Sequence, residues 1–330
     1  MLIYIGKKVA ICVVFMFVLS LFVFSLSRLA PGDPLQAFYG EAVERMSTEE
    51  HIAARERLGL DASLPVQYIT WLGNSMKGDF GISFKYKQPA IHIISALIGN
   101  TLILGTAAYI SVFLLAILLA VFCALYEDTW MDKLVCKLGT VVYYVPPFWL
   151  GLVLILLFSV NLHWLPSGGA YDSGHSGDLI NRMEHMILPL TVMIMSHLWY
   201  YTYMIRNKLL DEVRKEYVLL ARAKGLSKRR VIWCHCLHNI APTIISIMAI
   251  SITHVLSGTY VVEAVFSYPG MGALSIESAK YHDYNLLMLI VLVTGGLVIM
   301  SSLLAQIVNE YIDPRMRVLE DSLWQKTKNL

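Results

Sequence analysis

The chain is poor in charged residues and has few cysteines. Only 15% of its 330 residues are Asp, Glu, Lys or Arg, while 57% are hydrophobic and the mean hydropathy is +0.60. Soluble domains have about 25% charged residues, so this composition argues against that class and indicates a membrane protein. The five cysteines lie in apolar stretches or in stretches that we place in the cytoplasm, which argues against a disulfide framework.

The sequence also lacks the motifs that would mark an enzyme. It has no G-x4-G-K-[ST] phosphate loop and no H-E-x-x-H motif, and Ser257-Gly258 lacks the preceding glycine that a G-x-S-G site needs. Cys234 and Cys236 have no second ligand pair at zinc spacing, so we assign no metal site. We expect no enzyme activity in this chain and no nucleotide-binding site of its own.

Six windows contain no Asp, Glu, Lys or Arg, and each is long enough for the 20 or so apolar residues of a membrane-spanning helix. The predicted spans lie near 9–28, 101–125, 138–161, 186–206, 240–262 and 286–309. The first run is too long for a signal-peptide core and lacks a good cleavage site, so we expect it to be retained. Pro146-Pro147, Pro189 and Pro242 are expected to bend their helices.

The orientation follows from the basic residues in the short connections, which favour the cytoplasmic side. The opposite short loops carry only Arg182 and Lys280. Seventeen Lys and Arg residues lie on the side that we place in the cytoplasm: Lys7, Lys8, Lys133, Lys137, Arg206, Lys208, Arg214, Lys215, Arg222, Lys224, Lys228, Arg229, Arg230, Arg315, Arg317, Lys326 and Lys328. Both termini are therefore predicted to be cytoplasmic.

This topology predicts five segments. They are a cytoplasmic N-terminus (1–8), the first span (9–28), an extracytoplasmic helical segment (29–100), a five-span core (101–310) that includes a cytoplasmic loop (207–238), and a cytoplasmic tail (311–330). In the outer segment, Ser47-Thr48-Glu49-Glu50 predicts a capping box that begins a helix ending at Gly59. Residues 66–76 predict a second, amphipathic helix.

The basic connection between the fourth and fifth spans predicts a helix-turn-helix. Val213, Tyr217, Leu220 and Ala221 recur at helical spacing and predict an apolar stripe on a charged helix. Gly225 predicts a left-handed helix end, after which Ser227 caps a second helix. Such a segment either docks a partner protein or anchors on anionic lipid.

The same connection carries a family resemblance. Residues 216–226, read as E-Y-V-x-x-A-R-A-K-G-L and followed by His235 and Asn239, resemble the EAA loop of permease subunits of bacterial ABC importers of the peptide/nickel family. His238 departs from the arginine that the family often has there. Other landmarks are A-P-G-D-P at 30–34, G-D-F-G-x-S at 78–83, Asn100-Thr101, P-P-F-W at 146–149, L-P-S-G-G at 165–169, V-E-A-V-F-x-Y-P-G-M-G at 262–272 and Asp313-Pro314-Arg315.

The resemblance spans nearly the whole chain and implies an all-α type I ABC importer permease fold in the inner membrane. It implies a heterodimer with a homologous permease, two cytoplasmic ATPases that bind ATP and Mg, and an extracytoplasmic substrate-binding protein. The EAA loop would be the coupling helix, with Tyr217 and Leu220 filling an ATPase groove and Arg222 and Lys224 pairing with acidic groups. The ATPase-coupling set is Glu216, Tyr217, Leu220, Ala221, Arg222, Ala223, Lys224 and Gly225.

Within the predicted spans, His197 and His254 stand out because ionisable side chains at membrane depth usually face a cavity or a partner. We place them, with Glu263, on the substrate path; the alternative is neutral imidazoles hydrogen-bonded between helices. The substrate stays open between dipeptides, longer peptides and nickel or its chelates. Six histidines on or near the predicted outer side suit nickel: His51, His92, His163, His175, His185 and His282. An ion-coupled transporter would need buried acidic residues, which the six windows lack, and an intramembrane enzyme would need a nucleophile with a base.

Overall fold

The computed structural model describes residues 2–29, 34–57, 59–175 and 177–312, and the regular elements of these residues are helices. A 3₁₀ turn, Gly40–Arg45, follows α2; the π-helical stretch Ile155–Asn161 continues α7; and a second, Ile232–Cys236, joins α10 to α11. The α-helices are α1 (Leu2–Leu29), α2 (Pro34–Tyr39), α3 (Thr48–Arg57), α4 (Leu64–Ser75), α5 (Ala90–Leu125), α6 (Trp130–Tyr143), α7 (Pro147–Leu154), α8 (Leu179–Val213), α9 (Glu216–Ala223), α10 (Lys228–Val231), α11 (Leu237–Val265), α12 (Met271–Lys280) and α13 (Tyr284–Ile312).

Four helical stretches of the described residues are long and apolar enough to cross a membrane: Lys8–Leu29, Ala90–Leu125, Lys228–Val265 and Tyr284–Asn309. A fifth span is possible by length and composition if α6 and the α7 stretch count together, although they meet at 97°. The bend falls at Pro146-Pro147, as predicted. The remaining predicted span, the fourth (186–206), lies in α8, where Pro189, His197, Trp199 and three tyrosines dilute the apolar run, and it stays a prediction.

The packing divides the chain into two units, 1–101 with 269–300 and 102–268 with 301–330. In the first unit, the start of α5 packs with α12 and α13 around Ala90, Met271 and Leu286. The predicted capping box at the start of α3 is confirmed, since Ser47 N donates to Glu50 Oε2 (2.8 Å) and Glu50 N donates to Ser47 Oγ (3.2 Å). Helix α4 covers the predicted second helix, and its Tyr68 is buried against α1.

Buried Asp283 fixes the connection between α4 and α5 to the start of α13 in this unit. Its carboxylate accepts hydrogen bonds from Ser83 Oγ, from Lys85 N (3.1 Å) and from Leu286 N (3.3 Å). Two of the sequence landmarks also meet here, because Asn100 Nδ2 donates to Pro269 O at 2.8 Å. The first and last landmarks are not tested, since 30–33 and 313–330 lie outside the described residues.

The second unit is built on close helix packing. Helix α5 buries Ala108, Ala116, Ala120 and Ala124 in a core shared with α8 and α11. Small residues at four-residue spacing, as at Ala116, Ala120 and Ala124, let helix backbones approach closely, which favours the association of helices inside a membrane. A bidentate ion pair joins α6 to α8, with Arg206 Nε and Nη2 donating to Asp132 at 2.9 and 2.6 Å.

Candidate functional site: the connection between α8 and α11

The connection has the predicted helix-turn-helix form. Helix α8 ends at Val213, the chain turns at Arg214-Lys215, and the short helix α9 follows. Gly225 has the predicted left-handed conformation with φ +87°, and Gly225 N donates to Arg222 O at 2.9 Å. Ser227 Oγ accepts from Arg230 N at 3.4 Å and so caps α10 as predicted.

Buried Glu212, in the last turn of α8, joins three helices. Its Oε1 accepts from Tyr217 Oη of α9 (3.0 Å) and from Asn239 Nδ2 of α11 (3.4 Å), and its Oε2 pairs with Lys215 Nζ (2.6 Å). The side chain of Glu212 is 8% exposed, so water competes little for these bonds. These bonds tie α9 to the ends of both long helices.

The electrostatics keep this carboxylate ionised. Burial alone would raise the pKa of Glu212, but the hydrogen bonds from Lys215 and Tyr217 outweigh it and leave the pKa below its usual range. Burial and the neighbouring Cys236 and Glu212 raise the pKa of Tyr217, so its hydroxyl keeps its proton and can donate. Glu212 therefore stays a carboxylate and Tyr217 a neutral phenol across the physiological pH range.

The exposed face of α9 differs from the predicted stripe. Leu219 and Leu220 are 64% and 58% exposed, whereas Val218 is 2% exposed. Tyr217 turns inward to Glu212, with its hydroxyl 3.7 Å from Cys236 Sγ, and is not on the outer ridge where the sequence placed it beside Leu220. The outward apolar pair is therefore Leu219 with Leu220.

The other predicted coupling residues surround this pair. Ala221 is half-buried and packs on the core, whereas Glu216, Arg222, Ala223 and Lys224 are exposed. Outside α9, Arg214 Nη2 donates to Glu127 Oε1 (2.8 Å) and Lys228 Nζ donates to Leu125 O (2.6 Å), so both flanks of the connection are tied to the end of α5. These contacts hold α9 in place, and its exposed face carries Leu219 and Leu220 beside positively charged side chains.

Sequence reasoning missed two parts of this site. Glu212 and Asn239 are 27 positions apart and gave no local signal for their contact. Leu219 was overlooked because helical spacing grouped Val213, Tyr217 and Ala221 into a stripe, and this stripe packs on the core. Spacing alone does not say which side of a short helix faces outward.

A second candidate site is the cavity that contains His197 and His254. Its volume is 290 Å³, and His197 Nδ1 lies 2.9 Å from both Met193 O and Ser196 Oγ. A Cβ on Gly258 would lie 2.7 Å from His197 Cε1, so only glycine lets the imidazole sit against α11. The cavity is lined by Tyr143, Ser196, His197, Tyr200, Tyr201 and His254.

The structure brings the two histidines together but not Glu263. Glu263 is fully buried and does not line the cavity. Of the outer-side histidines that suited nickel, His185 is 5% exposed, with Nδ1 2.9 Å from Gly168 O. Within the described residues, no group of three His, Cys, Asp or Glu side chains is arranged to hold a metal ion.

Comparison with known proteins assigns the chain to a protein family. Residues 116–318 match the family described as binding-protein-dependent transport system inner membrane component, and residues 1–105 match the N-terminal region of such membrane components. The chain belongs to this family. It is a multi-pass inner-membrane component of a transport system, and the family is one of transport proteins rather than enzymes.

Relatives and solved structures agree with this assignment. The chain is 32% identical to the oligopeptide transport system permease protein AppB of Bacillus subtilis, over 95% of this chain and 98% of AppB. It is also 32% identical to the di/tripeptide transport system permease protein DppB of Pseudomonas aeruginosa, over 96% and 99%. The fold resembles the MetNI methionine ABC transporter in an inward-facing conformation, with TM-score 0.56 and 12% identity over 67% of this chain and 97% of the other.

Proposed function

We propose that this chain is the permease subunit of an ATP-driven importer of short peptides and that α9 is its coupling helix. The observation that carries the proposal is the exposed pair Leu219 and Leu220 on a helix that buried Glu212 bonds to α8 and α11. The two exposed leucines form a docking surface on a helix that is held in place. The hydrogen bonds of Glu212 would pass a rigid-body movement of α9 to the long helices α8 and α11.

The charges beside the leucines fit an acidic partner surface. Arg222 and Lys224 are exposed at the C-terminal end of α9, where the helix dipole also stabilises positive charge. The proposed partner is a cytoplasmic ATPase, which would bind ATP and Mg, since no phosphate-binding loop occurs in this sequence. Two such ATPases, a homologous second permease and an extracytoplasmic binding protein complete the importer, and both termini of this chain lie in the cytoplasm.

Peptides are the proposed cargo, because the two relatives described above are named for oligopeptides and for di- and tripeptides. The translocation path is proposed to include the His197–His254 cavity, whose tyrosines and imidazoles offer hydrogen bonds and ring surfaces without a fixed charge. Buried Glu263 is not part of this proposal. Nickel or its chelates remain a possibility for the family.

The complete importer, reconstituted in vesicles with its binding protein, tests the proposal. We expect uptake of a mixture of two- to five-residue peptides that requires ATP and the ATPase subunits, with Ni²⁺ offered in parallel as the alternative cargo. Uptake of Ni²⁺ but not of peptides would refute the cargo assignment. Peptide uptake driven by an ion gradient without the ATPases would refute the function.

A further inference from the structure

A polar cavity of 240 Å³ in the first unit lies beside the ends of two spans. Arg28, in the last turn of α1, and Asn285, in the first turn of α13, form part of its wall. One face of α4 forms another part, because Gln67, Trp71 and Asn74 fall at helical spacing. The remaining lining residues are Gly59, Ala62, Thr70, Asp79 and Gly81.

Three buried polar atoms of this wall lack a hydrogen-bond partner among the described residues: Arg28 Nε, Gln67 Oε1 and Trp71 Nε1. The orientation of the Gln67 amide is fixed, because its Nε2 donates to Leu60 O (3.2 Å) and Ala62 O (2.8 Å). Its Oε1 is therefore an acceptor. Buried polar groups in proteins are nearly always hydrogen-bonded, so two donors and one acceptor in one wall indicate a polar ligand.

The cavity also carries both signs of charge. Arg28 and Asp79 line the same space, and no ion pair joins them. Asp79 Oδ1 accepts from Gly81 N at 3.0 Å, which holds the carboxylate in place. A ligand that suits this wall has anionic oxygens for the Arg28 and Trp71 donors and an N–H cation for Asp79 and Gln67 Oε1.

The position of the cavity indicates where such a ligand comes from. The apolar span of α1 ends at Leu29 and that of α13 begins at Tyr284, so Arg28 and Asn285 lie at the depth of lipid headgroups. Apolar side chains nearby in sequence are exposed: Phe22 is 60%, Leu26 is 51% and Ile69 is 68% exposed. These surfaces suit acyl chains, whereas a free peptide would gain little from them.

We propose that this cavity binds the headgroup of a zwitterionic aminophospholipid, with the phosphate at Arg28 and Trp71 and the ammonium group at Asp79 and Gln67. Phosphatidylethanolamine carries both groups, a phosphate and an ammonium joined by a two-carbon link. The lipid would join the last turn of α1 to α4 and to the first turn of α13. This inference does not depend on the cargo or on the coupling helix.

The test is native mass spectrometry of the whole importer, purified in detergent with equal amounts of phosphatidylethanolamine and phosphatidylglycerol. Wild type is expected to retain one phosphatidylethanolamine per copy of this chain. Arg28→Gln should lower retention of both lipids about tenfold, as expected for loss of a charge-assisted hydrogen bond. Arg57→Gln, which removes the same charge from an exposed site in α3, is the control and should leave retention unchanged.

The substitution Asp79→Asn tests the contact with the ammonium group separately from the contact with the phosphate. The substitution keeps Oδ1 as acceptor for Gly81 N but removes the charge that faces the ammonium group. The importer should still bind lipid but lose its preference for phosphatidylethanolamine over phosphatidylglycerol. An unchanged preference, equal retention by Arg28→Gln and Arg57→Gln, or displacement of the lipid by excess short peptide would overturn the proposal.

Discussion

Helix α9 and the His197–His254 cavity lie in the same unit but differ in what they present. Helix α9 is held by hydrogen bonds between different helices, through Glu212, and exposes two leucines on its other side. In the cavity, His197 Nδ1 bonds to Met193 and Ser196 of its own helix, and the imidazole also meets the backbone of His254 in α11. The first arrangement presents an apolar face that suits docking, whereas the second surrounds a space with polar rings.

The largest expected effect comes from removing the exposed apolar face of α9. Leu219→Ser combined with Leu220→Ser should weaken binding of the ATPase by at least about a hundredfold, since each buried leucine contributes roughly 1.5–3 kcal/mol. Co-purification and titration of the ATPase onto the permease pair measure this. Membrane insertion should be normal, because neither side chain packs in the core.

Leu64→Ser supplies the control for this double variant. Leu64 is 53% exposed, at the start of α4 in the first unit. If it weakens ATPase binding as much as the changes in α9, the leucine face is not the docking surface.

The next effect should appear in coupling rather than in binding. Glu212→Ala leaves Tyr217 and Asn239 without their acceptor, which costs about 1–3 kcal/mol for a buried group. We expect ATP hydrolysis to continue while peptide transported per ATP falls about tenfold. Asp211→Ala, an exposed acid one position earlier, should leave this ratio unchanged. Equal ratios for the two variants would contradict the role of the junction.

The sequence was informative about local geometry. Ser47 with Glu50, Gly225 and Ser227 were all placed correctly, because capping and left-handed helix ends depend on residues a few positions apart. It was less informative about which side of a helix packs on the core. The resemblance placed Tyr217 beside Leu220 in an ATPase groove, and neither the motif nor helical spacing says which side chain packs inward. The Glu212–Asn239 contact needs the tertiary packing of two helices.

A substitution at Gly225 tests the effect of backbone strain without a change in side-chain packing. A Cβ at Gly225 meets nothing within 4 Å, so the cost of Gly225→Ala is that of the left-handed backbone alone, roughly 1–2 kcal/mol. We expect transport coupling to fall several-fold. Gly73→Ala is the matched control, because Gly73 is helical and equally unobstructed, and it should be neutral or stabilising. Unimpaired coupling in Gly225→Ala would show that α9 tolerates a different end.

The smallest effect on assembly is expected in the cavity. His197→Phe with His254→Phe keeps the bulk and the ring packing of both side chains, so the importer should assemble normally. Peptide size or charge preference should nevertheless change, measured as uptake per assembled complex. His175→Phe, at an exposed position between α7 and α8, should change neither property. Unaltered preference together with poor assembly would make the two histidines structural.

Site-specific photocrosslinking tests the central claim most directly, because it reports which face of α9 meets the ATPase. A photoreactive amino acid is placed at Leu220 in one assembled importer and at Tyr217 in another. Position 220 should crosslink to the ATPase, while position 217 should react only within this chain, since Tyr217 Oη lies 3.0 Å from Glu212 Oε1. Crosslinking of the ATPase from position 217 but not from 220 would contradict the proposed docking face.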